Sequence, residues 1–320
     1  MGNRRPASNS AGLYALYRKE LADHLTSNRF FLVSALLLIV SAASLGGAVS
    51  SLSGSSTDSS GSLFLKLFTA SGSSIYSFAT FIAFLGPLVG ITLGFDAINN
   101  ERSQGTLNRL AAQPIYRDSI INAKFLAGAT VILMLTFTLG LFMSGAGLLL
   151  IGIPPSGEEV CRLIAYFLLS AVYMSVWLAL AIIFSVVCKH AATAALASIS
   201  IWLFLSLFMS LVASGISNVL FPVEGIEGYG NVMKNYELDL ALNRISPYYL
   251  FTEAATTILN PSVRSIGIVT MSSVSGAIDA PLPFGQSLLL IWPHLVVMIA
   301  LAAAGFAVAY VNFMRQEIRA

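Results

Sequence analysis

Charged side chains make up only 10 % of this 320-residue chain, and their longest mixed cluster lies between two strongly apolar runs. That cluster, residues 96–124, reads DAINNERSQGTLNRLAAQPIYRDSIINAK. Glu101, Arg102 and Arg109 in it can make charge-assisted hydrogen bonds, the kind that fixes one protein surface on another. Gly105 supplies a break, and Thr106 can cap a helix over 107–113. Pro114 ends that helix, because the residue before a proline avoids the helical region. Leu107 and Leu110 share one face and form an apolar knob, while Asn108 and Arg109 point elsewhere, with Arg109 on a cationic rim. The chemistry is that of docking rather than of bond making. A basic loop that only fixes topology on anionic headgroups is the plainer alternative.

Other chemistries are absent. No Gly-Lys dipeptide occurs, so the chain has no phosphate-cradling G-x-x-x-x-G-K-[ST] loop. There is no G-x-S-x-G elbow, and His24, His190 and His294 are too scattered for a metal cage. No cofactor or metal is expected on this chain. Cys161 and Cys188 stand 27 residues apart at opposite ends of one apolar run. That is about 40 Å of helix, too far for a disulfide within the chain. Ion-coupled carriers place ionisable groups inside the membrane. The apolar runs here contain only His294, read as a helix-to-helix hydrogen-bonding residue or an interface anchor.

The elements that must position the insert follow from composition. Hydrophobic residues are 56 % of the chain, and six runs reach the length of about 20 residues that a helix needs to cross a bilayer. They are 30–49, 75–95, 125–151, 163–187, 191–220 and 286–311. Backbone groups in lipid must be paired internally, so these runs predict helices and an all-α integral membrane fold. The alternating ten-residue segments of a β-barrel are missing. With the N-terminus inside, twelve Lys and Arg fall on the cytoplasmic side against five outside. The positive-inside rule then puts both termini in the cytoplasm.

Residues 1–29 form a cytoplasmic N-terminus, and 30–320 one six-span domain. The first run is expected to stay in the mature protein, since 29 residues including Glu20 and Asp23 precede it. Upstream of it, Leu13, Leu16, Tyr17, Leu21 and Leu25 lie on one side of a helix, with Arg18, Lys19, Glu20 and Asp23 on others. This pattern predicts an amphipathic helix in the headgroup plane. Residues 50–62 read as a low-complexity outer loop, and 152–162 and 188–190 as short links between antiparallel neighbours. In the long outer segment, 221–285, a polar helix is expected near 234–244. Ser246-Pro247 then opens a second, which stops before Pro261 and packs Tyr248, Tyr249, Leu250 and Phe251 on the span ends. Gly86, Gly90 and Gly94 make a small-xxx-small ridge suited to close helix packing, within the bundle or across a dimer.

The array Glu101-Arg102, Gly105-Thr106-Leu107, Leu110, Pro114, Arg117 and Lys124 resembles the E-[RK]-x-x-G-T-L-x-x-L…P…R…K signature of ABC type-2 permeases. Arg18 to Leu21 (RKEL) and the ISP…E…LNPSVR stretch of 245–264 look like the same family, whose nearer branch includes the nitrous-oxide-reductase maturation permease and sodium or antibiotic exporters. The resemblance implies a half-transporter in the cytoplasmic (inner) membrane of a prokaryote. A second permease copy, the same or different, would complete the pathway. Separate ABC ATPase subunits would hold the ATP and Mg, and no nucleic acid is involved. It also implies that 106–113 is a coupling helix seated in the ATPase, with Glu101, Arg102 and Arg109 contacting it, and that ATP binding favours an outward-open dimer. A scaffold or sensor that anchors an ATPase without moving cargo, and an ion-coupled carrier, are the alternatives. Cargo stays open between a hydrophobic or amphipathic molecule and an ion or small sulfur species.

Overall fold

The computed structural model describes residues 9–54, 63–71, 76–105, 116–152, 154–224, 228–263 and 281–316, and all regular structure among them is helical. Six helices are long and apolar enough to cross a membrane. In chain order the elements are α1 (Asn9–Thr26), α2 (Asn28–Gly54), α3 (Leu63–Thr69), α4 (Phe78–Gly94) and α5 (Asn99–Ser103). They continue with α6 (Arg117–Ile151), α7 (Gly157–Val187), α8 (Ala191–Leu203), a π-helical turn (Phe204–Phe208) and α9 (Met209–Leu220). The chain closes with α10 (Gly228–Asn243), α11 (Pro247–Leu259) and α12 (Phe284–Arg315). The spans are α2, α4, α6, α7, the α8–π–α9 rod and α12.

Local chemistry sets the helix ends. Gly152 closes α6 in the left-handed conformation (φ 74°), where a side chain would be strained. Ser156 and Glu159 then open α7 as a reciprocal capping box, with the Glu159 carboxylate on the Ser156 N–H at 2.7 Å. Proline removes one rung of the ladder in α4: Pro87 has no N–H to offer the Ala83 carbonyl. The Tyr173 hydroxyl of α7 takes that place at 2.8 Å, so the break in α4 becomes a tie between two spans.

α7 is the centre of the bundle, packed by α4, α6, α8, α11 and α12. The glycine ridge of α4 lies directly against it. A Cβ on Gly90 would stand 2.3 Å from the Met174 carbonyl oxygen, and one on Gly94 2.8 Å from the Ala181 Cβ. At Gly86 the neighbour is the flexible Met174 side chain. From Met174 back toward its start, α7 is packed by aromatic rings. Phe251 of α11 stacks on Tyr173 with centroids 4.3 Å apart, and Phe68 of α3 meets Phe78 and Phe167 edge-on.

Three expectations change. Helix α3 is an added element, and its Phe64, Leu65, Leu67 and Phe68 are all buried. Seven residues are too short to cross a bilayer, so hydropathy does not set this run apart from the Ser-rich stretch before it and the second span after it. The helices α6 and α7 also begin well before their apolar runs, at Arg117 and Gly157, so Lys124 and Arg162 are helical and buried rather than loop charges. The Arg162 guanidinium is fully occupied there, donating to Glu158, to the carbonyls of Ile258 and Leu282, and to the Ser287 hydroxyl. Finally, α1 buries Leu16 together with Glu20, whereas Leu25 is exposed. Its inner face follows the spacing 13, 16, 17, 20, 21 and 24, and a carboxylate sits in the middle of it.

Candidate functional site

The chain alternates direction through the bundle, which brings α1, α5 and the start of α6 to the same end as the last turns of α7 and α12. The two described flanks of the 96–124 insert, Asp96 to Gly105 and Tyr116 onward, emerge there. Thr106, Leu107, Arg109, Leu110 and Pro114 lie outside the described residues. Gly105 ends α5 with φ 66°, a left-handed position that a glycine adopts without strain, and its N–H closes on the Arg102 carbonyl.

Two carboxylates and two ammonium groups alternate on one side of this end. Lys124 Nζ lies 2.9 Å from Glu20 and 3.6 Å from Glu101. Lys19 Nζ lies 3.2 Å from Glu101 and 3.3 Å from Glu20. Lys124 is nearly sealed from solvent and Lys19 half open. A buried ammonium is tolerated only when carboxylates pair with it, and two do. The network thus joins α1, α5 and α6 through opposite charges. Burial alone would lower the Lys19 ammonium, but Glu20 and Glu101 outweigh it and hold it above its usual range. Beside it, Arg29 at the start of α2 pairs with Asp96, and its guanidinium lies over the Phe95 ring at 5.3 Å.

A cleft of about 310 Å³ opens among these groups, lined by Asp23, His24, Arg29, Asp96, Asn100 and Lys124 among others. Burial lowers the His24 imidazole below its ordinary value. Lys124 adds to that, while Glu20, Asp96 and Asp23 oppose it.

The other side of the insert is fastened to the ends of α7 and α12. Arg102 donates to the Gln316 side-chain oxygen at 2.6 Å. Arg117 donates to the backbone oxygens of Gln316 (2.9 Å) and Phe313 (3.3 Å), with its guanidinium over the Phe313 ring at 5.7 Å. The Ser185 hydroxyl accepts the backbone N–H groups of Ile98 and Asn99. Glu101, Arg102 and Arg117 therefore point into the chain's own bundle.

Lys19 and Glu20 stand in the sequence only as part of the RKEL stretch and the polar side of α1, not as partners of Lys124, and Ser185 and Gln316 are not singled out. Lys124 just ahead of an apolar run, and Glu20 in step with Leu13, Leu16 and His24, were the available signals for a buried pair. Nothing in the sequence marks Ser185 or Gln316. At the opposite end, Glu253 accepts both Arg244 nitrogens (2.9 and 3.0 Å) and lies 2.7 Å from His294 Nε2. His294 thus pairs with α11 rather than standing alone. Burial works against the Glu253 carboxylate, yet the His294 and Arg244 hydrogen bonds win and hold it below its usual range. No cluster of His, Cys, Asp and Glu that could hold a metal occurs among the described residues.

The profile of the ABC-2 family transporter proteins matches residues 14–318, nearly the whole chain. The chain belongs to the ABC-2 transporter family. It is similar to the probable ABC transporter permease protein NosY of Pseudomonas aeruginosa, 30 % identical over 202 residues, 62 % of this chain and 68 % of that protein. The NosY of Stutzerimonas stutzeri is 32 % identical over 207 residues, with the same shares covered. Six apolar helices and these relatives make this ABC-2 chain a multi-pass membrane protein with a role in transport.

Proposed function

We propose that this ABC-2 chain is the permease subunit of an ATP-driven exporter in the cytoplasmic membrane of a prokaryote. It pairs with a second permease copy and draws its energy from separate ABC ATPase subunits that carry ATP and Mg. Family membership supports the transport role. The observation that carries the coupling reading is that the two flanks of the insert, the second of which opens α6, are tied by charged or multiple hydrogen bonds to three other helices, α1, α7 and the end of α12. A segment so tied passes a push from outside the membrane to several spans, where a loop that only fixed topology would need no such ties. In this reading 106–113 is the docking helix, with Leu107 and Leu110 as its apolar knob and Arg109 as a cation that contacts the ATPase. Glu101, Arg102 and Arg117 act inward and hold the helix in place. Rearrangement of a bistable membrane dimer then follows nucleotide binding on the partner.

The test is co-purification from mild detergent. The tagged wild-type chain is expected to bring a nucleotide-binding subunit that hydrolyses ATP, and the double variant Arg109→Ala/Leu110→Ala to lose it or to hydrolyse without transport. A wild-type chain that emerges alone and stable overturns the reading.

A further inference from the structure

Gln316 sits where the insert meets the spans. Its side-chain oxygen accepts Arg102 from the first flank at 2.6 Å, and its backbone oxygen accepts Arg117 from the second flank at 2.9 Å. Its Nε2 donates to the Val186 carbonyl at 2.7 Å. Val186 lies in the last turn of α7, where carbonyls lack a helical partner, so this bond supplies a missing donor as well as a tie. The side chain must accept from an arginine and donate to a carbonyl at once, and only a carboxamide does both with a neutral group of that reach. Asparagine is one methylene shorter. The charged pairs Lys19–Glu20, Lys19–Glu101, Lys124–Glu20 and Lys124–Glu101 hold the insert from the other side, against α1 and α6. Ser185, one residue before Val186, adds a second tie from α7 to the base of α5.

We propose that Gln316 is a positioning residue that locks both flanks of the insert to the ends of α7 and α12, so that these four pieces move as one body. The source of the motion rests on the coupling reading above, whereas the lock itself does not. Displacing the insert would then move the fourth and sixth spans together, and α7 carries the packing of most of the bundle.

Two variants separate the two halves of the lock. Gln316→Leu removes both side-chain bonds and leaves the backbone oxygen for Arg117. Gln316→Glu keeps an acceptor for Arg102 but has no proton for the Val186 carbonyl. The first measurement is amide hydrogen exchange on the full chain in lipid nanodiscs. In Gln316→Leu, amides 99–105 are expected to exchange about tenfold faster, while those of α11 at the far end stay as in the wild type. Gln316→Glu is expected to restore protection of 99–105. Unchanged exchange in Gln316→Leu overturns the lock whether or not an ATPase ever binds.

The second measurement places spin labels at Gln104 and Lys189, both exposed, in a Cys161→Ser/Cys188→Ser background with the co-purified ATPase. The wild-type distance distribution is expected to stay narrow and unmoved by ATP. Both variants should broaden or shift it on ATP addition, because each lacks the bond to Val186. A merely local structural role would leave Gln316→Glu, with its flank protected, indistinguishable from wild type, and that result overturns the proposal. If Gln316→Leu does not fold, Gln316→Glu alone decides. A wild-type chain that captures no ATPase counts against the coupling reading, and the exchange data still decide the lock.

Discussion

His24 shows how a single side chain in the cleft makes stability depend on pH. Burial and the nearby Lys124 ammonium disfavour its imidazolium, and the carboxylates of Glu20, Asp96 and Asp23 do not fully compensate, so its folded pKa lies below 6.5. The unfolded chain therefore takes up the proton first. The contribution is fully present above pH 6.5 and is lost as pH falls through the folded value, at no more than about 1.4 kcal/mol per pH unit for one proton. Thermal unfolding of wild type and His24→Gln between pH 5 and 7.5 measures it. The wild type is expected to lose stability on acidification and the variant to lose less, whereas equal slopes would remove His24 as the cause. At this scale the sequence was a poor guide. Glu20 read as part of the polar flank of an interfacial helix and His24 only as a scattered histidine, because only the partner across the gap, Lys124 on α6, turns that flank into an inner face.

At the scale of elements, the contact between α4 and α7 gives the sharpest contrast among glycines. A methyl group on Gly90 meets backbone on α7, 2.3 Å from the Met174 oxygen and 2.8 Å from the Leu178 nitrogen, so neither neighbour can swing aside. At Gly145 in α6 nothing lies within 4 Å. Gly90→Ala is expected to lower stability in detergent by about 1–3 kcal/mol or to abolish folding. Gly145→Ala should be neutral or slightly stabilising, since alanine is the better helix former. Thermal melts followed by size-exclusion chromatography compare the two, and equal behaviour would mean that the helices do not meet on this ridge. The six spans were legible because twenty-residue apolar runs have few other uses. Helix ends were less so, since α6 and α7 carry buried charges in turns that hydropathy assigns to loops. Helix α3 was invisible for the opposite reason, being apolar but only seven residues long. Short helices with a chemical signature fared better: Ser246-Pro247 and Pro261 bracket α11 at Pro247–Leu259, one residue from the expected stop. The segment 106–113, proposed above as the docking helix and the part of the candidate site most visible in sequence, lies outside the described residues. The ties that surround it depend on which helix ends meet, and one sequence does not reveal that.

Over the whole molecule, packing is uneven, and the unevenness predicts where the bundle gives first. Two thirds of the most apolar stretch of α7 is buried (67 %), against 17 % of that of the α8–π–α9 span. In lipid, exposed apolar side chains cost little, so a loosely packed span is held by specific ties more than by burial. Among the described residues the fifth span has few of them, one being Asn235 of α10 donating to the Asn218 side-chain oxygen at 2.9 Å. Trp202 packs on Phe84 of α4 with ring centroids 5.1 Å apart, and the Ser246 hydroxyl, at the N-cap of α11, donates to the Leu205 carbonyl at 2.7 Å. Leu205 lies in the π-helical turn, where the ladder of the rod is locally reset. Ser246→Ala leaves that carbonyl without its side-chain donor, a loss of about 1 kcal/mol. Hydrogen exchange in nanodiscs should then rise several-fold at Phe204–Phe208 and stay unchanged at Trp177–Ile182 in the buried second half of α7. A rise spread evenly over both segments would show that the bundle opens as one unit. A rise confined to the π turn would mark the fifth span as the separately movable wall of the bundle, tied to the far-end helices through Ser246, while α7 and α12 move with the insert through Gln316.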